Sequence, residues 1–243
     1  MMMFSLRRAA VAVALCASMV SPVLAAPEMD AATESKLKTL LAGPQRAPAN
    51  KARDAYRHPL ETLKFVGLKQ DMAVLEVAPG GGWWKEFLEP LLADKGKYVG
   101  ANLKPNVQPM PPGSMDLVLT FRNIHNWMSD NTAKGVFDVM YASLKPGGYL
   151  GVEEHRAPTS KEQDPQAVMG YVREDYAIKL IESAGFKLVS RSEVNANPKD
   201  TKDYPKGVWT LPPNYAEGEK DKAKYTAIGE SDRFTLLFQK PAR

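Results

Sequence analysis

Val74 to Trp84 reads VLEVAPGGGWW, a short apolar run that carries one acidic residue, Glu76, and breaks into a turn with Gly80, Gly81 and Gly82 in succession. A nearly unbroken apolar run is what a strand buried on both faces looks like, and consecutive glycines let a backbone bend tightly and approach a ligand. The stretch therefore reads as a strand-to-helix turn that holds a nucleotide, with the free amides at the start of the next helix aimed at it. Spacing excludes two common versions of such a turn. The dinucleotide fingerprint GxGxxG, started at Gly80 and Gly82, needs a glycine where Lys85 stands, and the phosphate loop GxxxxGK(S/T) has no match.

Outward from this turn the pattern alternates. Strands are predicted over Ala73–Val77, Tyr98–Asn102, Asp116–Phe121, Tyr149–Glu153, Lys187–Ser192 and Arg233–Gln239. Helices are predicted over Trp83–Leu92, about Asn131–Leu144 and Arg173–Ala184, the second stopped by Lys145-Pro146-Gly147-Gly148 and the third by Gly185. Alternating strands and helices predict an α/β domain with a mostly parallel sheet covered on both faces. That domain takes residues 53–243, and residues 26–52 read as an exposed N-terminal arm and connector, helical but weakly apolar over Ala31–Leu41 and then polar around Pro44 and Pro48.

The first 25 residues read as a secretory signal peptide: Arg7 and Arg8, the apolar run Ala9–Val20, and the small-residue site Val23-Leu24-Ala25. Such a run is too short to remain as a membrane span. Its removal takes away the single cysteine, Cys16, and both arginines, so a cysteine-free chain remains with 30 basic residues (32 less two) against 28 acidic ones. The expectation is a periplasmic or secreted protein without a stable membrane span. No basic run is interleaved with aromatic residues, which argues against a nucleic-acid partner.

Five passages carry a resemblance: ETLKFVGLKQDMAVLEVAPGGGWW, DLVLTFRNIHNWM, LKPGGYLGVEEH, GVWTLPP and IGESDRFTLLF. Together they resemble the class I S-adenosylmethionine-dependent methyltransferases, and among them a bacterial group of predicted methyltransferases with signal peptides. The match runs from about Arg53 to Pro241. The acidic-x-G-x-G-x-G turn of that class fits with Glu76, Gly80 and Gly82 in register and Ala78 at the first glycine position. The resemblance implies a Rossmann-like, doubly wound sheet with an antiparallel last strand. It implies S-adenosylmethionine as cofactor, bound by Glu76, Ala78, Gly80, Gly81, Gly82 and Asn102. The methyl acceptor, a small molecule or a peptide, and the oligomeric state stay open.

Arg122, Asn123, His125, Asn126 and Trp127 follow the strand DLVLTF, where open α/β sheets place their ligands. Methyl transfer requires alignment of the acceptor and removal of its proton, so His125 is the candidate base, with Arg122 and Asn123 as positioning groups. On the competing reading, His125 and Trp127 only cap and pack the next helix. Trp83 and Trp84, as neighbours in a first helical turn, would point about 100° apart and could not share a pocket. One would be core and the other could cover the cofactor's sulfonium; the competing and favoured reading is that both only pack. Glu153, Glu154 and His155 read as a solvated strand end; the competing reading is a His–carboxylate pair serving as a second base or a metal pair, but histidines this scattered are a weak metal signal and no metal is expected. His58 belongs either to a lid or to a polar helix face.

The pattern is also broken in two places. Asn102 replaces the carboxylate that usually holds the ribose, and only Leu103–Met115, rich in proline, separates two strands that normally flank a further strand and helix. The sheet is therefore expected to be shortened by one β-strand/helix unit. These departures leave a second reading of function, a non-catalytic periplasmic ligand-binding protein on a degenerate methyltransferase fold.

Overall fold

A computed structural model describes residues 27–242. The signal-peptide reading, Cys16 included, falls outside these residues. No helix among the described residues is long and apolar enough to cross a membrane.

The strands are β1 (Ala73–Val77), β2 (Lys97–Ala101), β3 (Met115–Phe121), β4 (Leu144–His155), β5 (Lys187–Ser192) and β6 (Arg233–Gln239). They form one sheet in the order β2-β1-β3-β4-β6-β5. The first four run parallel, while β6 lies antiparallel to both β4 and β5. The register places Val77 beside Thr120 and Phe121 beside Glu153, so the chain leaves β1, β3 and β4 at one end of the sheet.

The helices are α1 (Ala31–Ala42), α2 (Pro48–Lys51), α3 (Asp54–Arg57), α4 (Pro59–Phe65), α5 (Lys85–Leu92), α6 (Ile124–Ser129), α7 (Ala133–Ser143), α8 (Glu174–Glu182) and α9 (Lys222–Ile228). On one face of the sheet, Leu75, Val118 and Leu150 pack with Phe137 and Met140 of α7 and Ile181 of α8. On the other, Val74 and Leu117 pack with Phe87, Leu88 and Leu91 of α5. Both faces are thus covered, which is why the parallel strands read as apolar runs.

The expected exposed arm is instead docked. Asp30 caps α1 by accepting from the Thr33 amide at 2.8 Å, and Leu37 is fully buried in the α5-side core. Lys36 reaches the Leu91 carbonyl of α5 and Asp94 just beyond that helix, at 3.0 and 2.7 Å. The low hydrophobicity of α1 hid this because a single leucine and a threonine make the buried contact.

No strand or helix stands between β2 and β3 among the described residues. The proline-rich connector runs over α7 instead, with Pro105 against Gly135 and the amides of Gly113 and Ser114 bonded to carbonyls of Ala142 and Ser143. Strand β2 is left at the edge of the sheet, half-buried at best.

Candidate functional site

Above the ends of β1, β3 and β4 lies a cavity of about 320 Å³. Glu76, Ala78, Gly80 and Gly81 line one wall, Arg122, Asn123 and His125 another, and His155 a third. The sequence-predicted residues of the glycine turn and of the RNIH segment therefore meet in one space. Gly82 and Asn102 are not among its lining residues, and neither are Asn126 and Trp127. Asn102 is exposed one residue beyond β2, and Trp127 is core, edge-on to Phe137 at 5.8 Å.

Ala78 adopts a left-handed backbone with φ of 53°, and its amide bonds the Ala101 carbonyl of β2 at 2.9 Å. A left-handed alanine costs roughly 1–2 kcal/mol, so Ala78 holds a backbone conformation that glycine would adopt without that cost. A methyl group placed on Gly80 or Gly81 would meet nothing within 4 Å, so both backbones face open space. Glu76 is buried and accepts from the Tyr98 hydroxyl at 2.6 Å. Burial pushes its pKa up to about 7, with the tyrosine contact opposing.

Trp83 and Trp84 both line the cavity. The expectation that they could not share a pocket fails because they belong to the turn before α5, which begins at Lys85, and not to a helix. Trp84 stacks on Phe121 with ring centroids 3.9 Å apart, and the Trp83 ring is covered by the guanidinium groups of Arg57 and Arg46 at 4.7 and 5.1 Å. Those arginines already make the cation–π contact that the sequence assigned to a sulfonium.

Asn123 acts mainly on the backbone. Its side-chain amide lies within 3.2–3.4 Å of Val77, Ala78 and Phe121 carbonyls and the Thr120 hydroxyl, which ties the end of β3 to the start of the glycine turn. His125 is in the first turn of α6 and stands against Glu154 of β4, with Nδ1 3.0 Å from Oε1. Glu154 also accepts the backbone amides of His125 and His155 at 3.2 and 2.8 Å. A carboxylate in this position holds the hydrogen on Nδ1 and leaves Nε2 as the basic nitrogen.

The strand end expected to be solvated is in fact buried: Glu153 and Glu154 are 1% and 0% exposed. β4 lies between β3 and β6, so the carboxylates on both of its faces are enclosed and each has found a partner. Glu153 accepts from Arg233 at 3.0 Å and from Asn195 at 3.1 Å, and Arg122 lies 3.8 Å away. His125, Glu154 and His155 place metal-ligand atoms within 4.8 Å of one another. Three N–H groups already occupy Glu154, and His155 Nδ1 is bonded to Ser231 at 2.5 Å, so the cluster is built as an orienting network. Burial, followed by repulsion from His125, Arg122, Arg233 and Arg57, drives the His155 pKa well below its ordinary value. His58 lies outside the cavity, at the left-handed junction of α3 and α4, 3.3 Å from Asn195.

Several lining residues have no counterpart among the sequence-predicted site: Asn50, Arg53, Arg57, Trp209, Glu230 and Ser231. Arg53 and Arg57 bind Glu230 at 2.6 and 3.4 Å across a separation of more than 170 residues. Trp209 comes from a 3-10 turn, Gly207–Thr210, and meets His125 edge-on at 5.9 Å. The passages GVWTLPP and IGESDRFTLLF contain three of these groups, Trp209, Glu230 and Ser231, and for Arg53 and Arg57 the sequence offers only the dense polar run of Arg53, Asp54, Tyr56, Arg57 and His58.

No protein-family profile matches the sequence, and no curated protein does. Solved structures do. The chain resembles a SAM-dependent methyltransferase from Aquifex aeolicus with a TM-score of 0.53 and 18% identity, over 85% of this chain and 98% of that one. It resembles the cyclase SpnF with a TM-score of 0.52 and 15% identity, over 92% of this chain and all of the other. The chain therefore has the class I methyltransferase fold, mostly parallel with an antiparallel pair at one side. A cyclase on the same fold is a reminder that activity must be argued from the site.

Proposed function

We propose that this protein is an exported S-adenosylmethionine-dependent methyltransferase. One observation carries the reading: the glycine turn after β1 and the Glu154-oriented His125 after β3 wall the same cavity. The amino-acid end of the cofactor fits here, because the open backbone of Gly80 and Gly81 gives room and Glu76 offers a carboxylate for an amino group. When bound, S-adenosylmethionine supplies an electrophilic methyl group on sulfur.

The chain's own residues do the rest. Asn123 fixes the turn against β3 so that both walls keep their spacing. His125 Nε2 takes the proton that an acceptor hydroxyl or amine gives up, and Glu154 steadies the resulting imidazolium through Nδ1. Trp84 stacked on Phe121, together with Trp209, gives the cavity aromatic walls. The signal-like N-terminus supports the exported part of the reading.

Calorimetry of the mature chain with S-adenosylmethionine and S-adenosylhomocysteine tests this. Binding of either is expected, and Gly81→Val should abolish it without unfolding, since Gly81 is not left-handed and its Cβ position is open. No heat with either compound sinks the proposal. One observation favours the second reading, a ligand-binding protein on a reduced fold: no residue of β2 lines the cavity. Stabilisation by a small anion with no response to either cofactor form would decide for it.

A further inference from the structure

The cavity carries more positive charge than its own carboxylates can balance. Arg53, Arg57, Arg122 and Arg233 form one linked cluster with only Glu153 and Glu230. Four guanidinium groups against two carboxylates leave a formal excess of two. Burial works against a charged Glu230, yet Arg233, Arg57 and Arg53 hold its pKa down to about 2, so it is fully ionised and already counted. Arg57 shows the opposite side of the imbalance: burial, then repulsion from Arg122, lowers its pKa to about 9 in spite of Glu230. The other titratable groups on the walls do not close the gap of two. Glu76 is half-protonated near neutrality, and His155 is neutral.

The donors are also left open. Arg53 Nη2 and Arg122 Nε are buried and have no hydrogen-bond partner. Arg122 reaches its position only through a left-handed backbone, φ 62°, held by its amide on the Glu153 carbonyl at 2.7 Å. Unpaired buried donors and a strained non-glycine backbone at one residue both cost stability, and such costs concentrate where a ligand is held. A purely structural ion-pair network would be closer to neutral, because each uncompensated buried charge is expensive. The cofactor cannot supply the balance, since its sulfonium gives it a net positive charge.

From this we infer that the molecule acted on is an anion, with a carboxylate or phosphate group bound by Arg53, Arg57 and Arg122. Guanidinium forks match the planar oxygens of either group. The identification of that anion as the methyl acceptor rests on the methyltransferase reading, whereas the anion site itself does not.

Trp83, Trp84 and Trp209 line the cavity, so intrinsic fluorescence reports its occupancy. The experiment titrates the mature chain, Arg122→Met and Arg53→Met with inorganic pyrophosphate and, separately, with succinate, each with and without saturating S-adenosylhomocysteine. The expected result is saturable binding of at least one probe, retained with S-adenosylhomocysteine present and weakened about tenfold or more in both variants. Both variants should stay folded, because Glu153 keeps Arg233 and Glu230 keeps Arg57. The two probes distinguish a phosphate from a carboxylate preference. No saturable response to either probe, or equal affinity in both variants, overturns the inference. Competition with S-adenosylhomocysteine overturns it too, because the arginines would then hold the cofactor's own carboxylate. Probe binding without any response to S-adenosylhomocysteine sinks the methyltransferase proposal while leaving the anion site standing.

Discussion

Replacing Glu76 by glutamine should stabilise the protein, and the gain should grow with pH. The side chain is 2% exposed, and burial moves its pKa from 4.5 in an open chain to about 7. For an acid whose pKa rises on folding, stability is fully present below 4.5 and is lost as pH climbs through 7. A displacement of this size corresponds to a loss of about 3 kcal/mol at pH 8 but only about 1 kcal/mol at pH 5. Glutamine does not titrate, and its carbonyl oxygen can still accept from the Tyr98 hydroxyl. Urea unfolding of both chains at pH 5 and pH 8 should therefore show a stability gap that widens by about 2 kcal/mol. In melting temperature the widening is roughly 4–8 °C for a chain of this size. A gap independent of pH would refute the argument that burial sets the charge state of Glu76.

Ala78→Gly relieves a left-handed alanine and should stabilise the protein by about 0.5–1 kcal/mol after the added freedom of the unfolded chain is subtracted, measured as a shift in the urea midpoint. Gly80→Ala, at φ 55°, should cost about 1 kcal/mol in the same assay although no atom obstructs the methyl group. Leu37→Ala empties a fully buried position under α1 and should cost about 2–4 kcal/mol; a cost below about 0.5 kcal/mol would show that the helix is not docked. Glu154→Leu strands the amides of His125 and His155 together with Nδ1 of His125, and a loss of about 3 kcal/mol or more in thermal unfolding is expected.

The order of the strands and of α5, α7 and α8 was legible because the buried strands are apolar runs and those three helices carry a one-sided apolar pattern, as in DLVLTF and the α8 segment. The missing unit was legible too, since prolines between Asn102 and Asp116 leave no helix. The walls contributed by the glycine turn and by Arg122, Asn123 and His125 followed from their places at strand ends. What could not be read was set by packing across the chain. Glu153 and Glu154 look like a polar strand terminus until β6 is laid beside β4 and Arg233 and His125 supply their partners. Trp83 and Trp84 depended on where α5 starts, a boundary that shifts by one or two residues under small changes in the turn. Arg53, Arg57 and Trp209 come from segments whose sequence carries no periodicity, so only tertiary contact assigns them to the cavity.

The clamp of Arg53 and Arg57 on Glu230 joins residues 177 and 173 positions apart, and Arg233 adds a bond to the Tyr56 carbonyl over the same span. Contacts this distant in sequence form only after the intervening chain is in place, because closing so long a loop has an entropic cost that local structure cannot offset. The cavity is thus a product of the completed chain. A fragment ending before Glu230 retains the glycine turn and His125 but loses the carboxylate that holds the two arginines at the rim.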